Sequence, residues 1–361
     1  MAFVTFDVDK LKLNFDYLNN LFSEHDIKWS IVTKMLCGNR KFLTEVLKLD
    51  IGQVCDSRVS NLKTIKSIRP DVETIYIKPP AKRAIGGVVK YADISLNTEL
   101  ATIKMLSAEA QRQNKTHKII IMLELGELRE GVKREDFIDF YESVFNQKNI
   151  EVVGIGANLT CLYGVLPNHD KLLQLTLYQQ IIEAKFNKKL PFISGGSSVT
   201  IPLIFEKLLP IGINHFRVGE TLYLGTDVYY DRPLENMSNN IFMLYSEIIE
   251  VIEKPLVPEG TFGTNLEGDT FTFEDDKKGQ TSIRAIIDIG LLDVEIKHLE
   301  FVDKDIEIAG ASSDVIVIDL GENKKNYKVG DLIKFRLDYM GTLRIINSKY
   351  IDKRIKGAEV Y

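Results

Sequence analysis

The stretch Trp29-Ser30-Ile31-Val32-Thr33-Lys34 is a short β-prone run that ends in a single amine. A lysine at the C-terminal end of a strand can project into the mouth of an α/β barrel, where functional groups gather. In its neutral form such an amine is a nucleophile toward a carbonyl and can form a Schiff base. Taken alone, the same lysine is also an ordinary surface residue. The company it keeps along the chain decides between the two.

On either side, strand-like runs alternate with amphipathic helical stretches. Leu11, Asn14, Leu18 and Leu21 follow helical spacing, as do the apolar residues of Asp136–Phe145 and Leu172–Phe186. Candidate strands are Ser30–Thr33, Gln53–Cys55, Thr74–Ile77, Asp93–Ser95, Lys118–Leu123, Val152–Gly156, Phe192–Ser194 and His215–Arg217, eight in all, with a brief strand at Phe3–Phe6 before them. Repeated βα units of this kind predict a (β/α)8 barrel. The pattern changes after Asp231-Arg232-Pro233. From Asn240 onward the apolar runs are β-like, at Met243–Glu250, Ile283–Ile289, Asp305–Ile308, Val315–Asp319 and Leu332–Leu337. Turn signals such as Pro258-Glu259-Gly260 and Leu266-Glu267-Gly268 separate them, and Glu274–Lys278 reads as a solvated loop. The expected architecture is α/β: a barrel over residues 1–235, whose first strand can join the second domain, and a mainly β domain over 236–361.

Length and composition agree. The 361 residues suit one barrel of about 250 residues plus a smaller domain. A net charge of −5 without a basic stripe gives no reason to expect a nucleic-acid partner. No apolar run approaches the ~20 residues of a membrane span, and the first residues do not read as a signal peptide. Cys37, Cys55 and Cys161 are odd in number and lack metal spacing, which suggests a reducing compartment and no metal site. A cytoplasmic protein is expected.

Four further strand ends carry polar groups. The fifth leads into Glu124–Gly131, with the permanent cation Arg129. The sixth leads into Gly154–Cys161, offering Asn158 and the Cys161 thiol. The seventh ends in Ser194-Gly195-Gly196-Ser197-Ser198, whose backbone N–H groups and hydroxyls could cradle a phosphate. The eighth carries Asn214-His215-Phe216-Arg217-Val218-Gly219-Glu220. Singly, each has a plain structural reading: a turn, a surface ion pair, a loop amide, a supporting histidine. Together and in this order they are far more specific, because phosphate sites after strands 7 and 8 recur in this architecture.

With these residues the chain resembles the fold-type III pyridoxal-phosphate enzymes of the alanine racemase superfamily, and within them the ornithine/lysine racemase branch. The resemblance spans nearly the whole chain and also rests on Gly310-Ala311-Ser312-Ser313-Asp314. It implies pyridoxal 5'-phosphate bound covalently by Lys34, with Arg129 at the cofactor's phenolic oxygen. Asn158 falls where alanine racemases have a histidine beside the ring. Ser198, with Ser197 next to it, and the N–H groups of Gly219 and Glu220 match the phosphate site, which Tyr339 would close. Arg217 matches the arginine facing the pyridine nitrogen. Arginine can only donate there, so the ring stays a weaker electron sink, which favours quick reprotonation at Cα.

Two departures stand out. Alanine racemases have a tyrosine four residues beyond the lysine, where this chain has Gly38. Their second catalytic tyrosine should fall in Gly260-Thr261-Phe262-Gly263-Thr264-Asn265, which has none. Cys161 is the candidate second base, with Thr264 as the other possibility. Ser313 and Asp314 match a segment that reaches substrate in the other subunit of a homodimer with shared active sites. The space left by the missing tyrosines, with an acid to meet a distal ammonium, points to a basic amino acid such as ornithine or lysine. The alternatives are alanine or broad-specificity racemisation, a D-amino-acid aldolase, or a non-catalytic carrier of the cofactor.

Overall fold

The computed structural model describes residues 2–264, 268, 270, 272–273 and 275–356. Asn265, Leu266, Glu267 and Glu274, named above, lie outside the described residues. Among the described residues, the segment up to Val8 together with that from Asn240 onward forms one compact unit, and Asp9–Asn239 forms another.

In the second unit, β2 (Lys28–Val32), β3 (Gln53–Asp56), β4 (Glu73–Tyr76), β5 (Ile94–Asn97), β6 (His117–Met122), β7 (Ile150–Gly156) and β8 (Phe192–Ser194) pair in parallel in sequence order. The barrel closes through β9 (Gly196–Ser197), a continuation of β8, and β10 (His215–Val218), which lies between β9 and β2. Val32, Cys55, Ile75, Ile94, Leu96, Ile120, Met122 and Val153 come from six successive strands yet pack in one buried cluster. Only the inside of a barrel offers a layer common to so many strands. Closure needs small residues at two points. A Cβ on Gly196 would lie 2.2 Å from the Phe216 ring, and one on Gly154 would lie 2.4 Å from the Phe192 carbonyl oxygen.

The helices follow the strands they return to: α1 (Val8–Glu24), α2 (Arg40–Val46), α3 (Val59–Ile68), α4 (Ile85–Tyr91), α5 (Leu100–Arg112), α6 (Phe137–Phe145), α7 (His169–Phe186), α8 (Pro202–Phe205) and α9 (Glu220–Leu224). Along α1, Leu11, Asn14, Phe15, Leu18 and Phe22 are buried, an apolar stripe at the period a surface helix requires. Its one polar member is satisfied: Asn14 donates to Leu222 O at 3.0 Å and Ser238 O at 2.9 Å. No helix among the described residues is long and apolar enough to cross a membrane. A small hairpin, β11 (Thr226–Asp227) with β12 (Arg232–Pro233), follows the barrel.

The first unit is built on β13 (Phe242–Pro255), whose alternate residues Phe242, Leu244, Ser246 and Ile248 are buried. With β14 (Thr281–Ile287), β15 (Leu299–Phe301), β16 (Glu307–Ala311), β17 (Ile316–Asp319) and β18 (Leu332–Leu337) it forms an antiparallel path β15-β18-β13-β14-β17-β16. The N-terminal strand β1 (Phe3–Phe6) pairs antiparallel with β13 and stacks Phe3 on Tyr245 at 4.8 Å. Its other edge pairs in parallel with β19 (Asp352–Ile355), which follows α10 (Tyr339–Asn347). Periodicity did not announce β15, α10 or β19, which are short or follow directly on another element.

Candidate active site

Lys34 lies one residue, Thr33, beyond the end of β2, as the first residue of a 3-10 turn over Lys34–Leu36, and is half-buried. The residue before it is fixed from β3. Thr33 N donates to Cys55 O at 2.8 Å, and Thr33 Oγ1 donates to Asp56 Oδ2 at 2.7 Å. Asp56 is fully buried and also accepts from Arg58 N at 2.9 Å and Asn61 Nδ2 at 3.0 Å. Burial pushes its carboxyl above the ordinary range, and these hydrogen bonds offset that only in part. The same Asn61 leaves room at position 38 for little more than a glycine. Gly38 has φ +75, and a Cβ there would sit 2.5 Å from Asn61 Oδ1. A large side chain would need both an unfavourable backbone and a displaced Asn61.

The turns after β8 and β10 meet beside this strand. Ser198 Oγ accepts from Thr221 N at 3.2 Å. Gly219, the residue before α9, packs so closely on β2 that a Cβ would lie 3.1 Å from both Val32 Cβ and Val32 O. Ser198, Gly219 and Glu220 are therefore gathered two residues from Lys34 along β2. The Ser197 side chain instead caps the 3-10 turn Ser198–Thr200, accepting from the Thr200 backbone, while Ser197 N donates to Thr200 Oγ1 at 3.2 Å.

Arg217, on β10 opposite Ser30 of β2, is 7% exposed. Its Nη1 donates to Ser194 O at 2.9 Å and to Ser194 Oγ, and its Nη2 donates to Ala157 O at 2.9 Å. Burial lowers its pKa from the ordinary guanidinium value, and Cys55, Glu130 and Cys161 act in the other direction.

The loops after β6 and β7 bring together Arg129, Asn158 and Cys161. Arg129 donates through Nε and Nη2 to the Glu130 carboxylate. With its amide oriented to suit this donor, Asn158 accepts from Arg129 Nη2 at 2.6 Å and Nη1 at 3.2 Å. The hydrogen bond to Glu130 is the main cause holding the Arg129 pKa above its ordinary value, with Cys161 contributing. Cys161 is exposed and follows Thr160, whose φ of +71 is unusual for a β-branched residue.

A residue without a legible sequence signal holds this loop. Glu127 is 1% exposed and accepts from Leu162 N, from Tyr163 N at 3.1 Å and from Val165 N at 3.0 Å. Burial pushes its carboxyl up, but these backbone N–H groups outweigh burial and leave its pKa below the ordinary value. A carboxyl lowered in the folded state adds stability above its unfolded pKa, and that stability is lost as pH falls through the lowered value. Glu127→Gln should therefore speed hydrogen exchange at the 162, 163 and 165 amides by about 10–100-fold, corresponding to about 1.5–3 kcal/mol for bonds to a charged acceptor. Acid should produce the same loosening in the unaltered chain only below the ordinary carboxylate range. Unchanged exchange in the variant would show that the loop is held by something else.

In the first unit, Tyr339 opens α10 directly after Asp338, which caps the helix by accepting from Gly341 N at 2.7 Å and is bonded by His298 Nδ1 at 2.8 Å. Ser313 and the exposed Asp314 form the turn between β16 and β17, with Ser313 Oγ donating to Asp314 Oδ2 at 2.8 Å. That turn rests on Gly290, where a Cβ would lie 2.3 Å from Ser313 O. Thr264 is exposed.

Residues 6–227 match the family model described as "Alanine racemase, N-terminal domain". The chain is 38% identical to the ornithine racemase of Acetoanaerobium sticklandii, over 98% of this chain and 99% of that one. It is 31% identical to the lysine racemase of Thermotoga maritima, over 89% of each. In fold it matches the Bartonella henselae alanine racemase solved with covalently bound pyridoxal phosphate, at a TM-score of 0.71 and 16% identity, covering 98% of this chain and 99% of that chain. With the family model covering most of the barrel unit and a relative matching almost end to end, the chain belongs to the alanine racemase family.

Proposed function

We propose that the protein is a pyridoxal 5'-phosphate-dependent racemase, an isomerase acting on a basic free amino acid, ornithine or lysine. The observation that carries the reading is the convergence, at one end of the barrel, of the Lys34 amine, the Ser198–Thr221 turn on Gly219, and the anchored Arg217 guanidinium. An amine for a carbonyl, a hydroxyl-and-amide turn for a phosphate and a fixed donor for a ring nitrogen make a donor set that fits the cofactor. The relation to an ornithine and a lysine racemase supports the substrate class.

Lys34 would hold the cofactor, with Ser198 and the Gly219 and Glu220 amides at its phosphate. Ser197, whose hydroxyl and backbone N–H are both engaged by Thr200, would hold the turn that presents Ser198. Arg217 would face the ring nitrogen, and Arg129 with Asn158 would lie at the ring's other polar edge. When bound, the cofactor withdraws electrons from Cα and so makes its proton removable. Lys34 would carry that proton on one face and Cys161 on the other. In this reading, residues 9–239 are the cofactor-binding domain of a cytoplasmic enzyme. Two chains form a homodimer with shared sites, the Ser313-Asp314 turn of one reaching the substrate bound by the other.

Purified protein incubated with L-ornithine, L-lysine or L-alanine and read by chiral chromatography should form the D-enantiomers of the basic amino acids faster. Faster turnover of alanine, or none of any amino acid, would reject the reading. Lys34→Ala and Asp314→Ala variants, each weak alone, should recover part of the activity when mixed. Full activity in a monomer would exclude shared sites.

A further inference from the structure

We propose that Arg217 is aimed by a one-directional hydrogen-bond relay through the barrel, Ser194–His215–Gln53–Glu73, and that His215 is its positioning residue, locked as the Nε2–H tautomer. The proposal rests on the reading above only for what Arg217 faces; the relay belongs to the chain whatever its activity.

Four contacts make the relay. Arg217 Nη1 donates to Ser194 Oγ. Ser194 Oγ lies 2.7 Å from His215 Nδ1, and His215 Nε2 lies 2.7 Å from Gln53 Oε1. Gln53 Nε2 donates to Glu73 Oε2 at 2.6 Å. Both ends set the same direction. A guanidinium only donates, so the Ser194 oxygen accepts from it and turns its own hydrogen to His215 Nδ1. At the other end a carboxylate accepts, so the Gln53 amide group points at Glu73 and its oxygen faces His215. The Gln53 oxygen can only accept, which requires the imidazole hydrogen on Nε2. A protonated ring would instead aim a second donor at Ser194, leaving that hydroxyl hydrogen without its acceptor.

The surroundings agree. His215 is fully buried, and burial first, then Arg217 and Lys28, push its pKa down to about 3. Ser30 Oγ fits the same polarity, donating to Gln53 Oε1 at 2.8 Å and lying 3.1 Å from His215 Nε2. Gln53 and Glu73 are register partners at the first residues of β3 and β4, so the relay runs to the N-terminal end of the strands, away from Lys34. With the Ser194 hydrogen committed to His215, Arg217 keeps an acceptor on Nη1 as well as Ala157 O on Nη2, and the guanidinium plane cannot swing.

The test is nitrogen NMR on the full chain carrying 15N-labelled histidine, of which it has 5, without cofactor. His215 should give a neutral imidazole with its hydrogen on Nε2, unchanged through the ordinary histidine titration range. Gln53→Leu should convert it to a tautomer mixture. An Nδ1–H ring or an imidazolium in the unaltered chain, or a tautomer indifferent to Gln53→Leu, would overturn the relay. In the loaded protein, His215→Phe should lower kcat by about 10-fold with little change in KM and should shift the visible band, while His215→Gln restores part of both. Equal losses in the two variants would reduce His215 to a space-filling role. Absence of racemase activity in the unaltered protein would reject the functional reading and leave the NMR result standing.

Discussion

Lys34→Ala should lower racemase turnover by at least about 10³-fold, within the range that one positioned proton-transfer group contributes. The same variant should lose the visible absorption of the loaded protein. The loss follows from position. Lys34 is delivered by β2 through a Thr33 backbone and hydroxyl both bonded to β3, so a neighbouring lysine has no equivalent route to that point. Borohydride treatment of the unaltered protein should bleach the band and leave a stable adduct on the peptide that contains Lys34. An adduct mapped to any other lysine would refute the assignment. Folding should be spared, because the residue is half-buried and its replacement removes neither Thr33 nor Asp56 from their bonds.

Arg217→Gln carries the second-largest effect, and here stability and activity should fall together. Gln is too short and carries too few N–H groups to reach Ser194 O, Ser194 Oγ and Ala157 O together. Each buried acceptor left without its donor costs about 1–3 kcal/mol. A loss of about 2–5 kcal/mol in urea unfolding is expected, without cofactor present. In the loaded protein the visible spectrum should change, because the proposed function has Arg217 face the ring nitrogen. A variant as stable as the unaltered chain would mean that water replaces the guanidinium at no cost, which contradicts its burial.

The barrel was legible because its signals are local. Each of its eight main strands is a short β-prone run flanked by helix-period residues, and Ser194–Ser198 and Arg217–Glu220 announce a polar turn by glycine and hydroxyl content alone. Lys34, Arg129, Asn158, Cys161, Ser198 and Arg217 could be singled out for the same reason: each stands just past or at the end of such a run. The second unit was less legible. The helix at Tyr339–Asn347 starts at a capping Asp338 that could have been read, but it follows β18 without a loop to mark the change.

Tertiary structure alone decided what those residues do with their neighbours. Ser197 has the composition of a phosphate ligand, yet its hydroxyl caps its own turn. Gly38 reads as space left by a missing tyrosine until Asn61, from α3, is seen to fill the space above it. Glu127 reads as one acid among many, but it holds a loop 35 residues away in sequence. His215 meets Gln53 across 162 residues. Periodicity and turn chemistry act over a few residues and are written in order along the chain. The partner of a buried polar group is chosen by whichever strand the closed barrel places beside it, so only closure of the barrel fixes the Arg217–Glu73 path and the tautomer it requires.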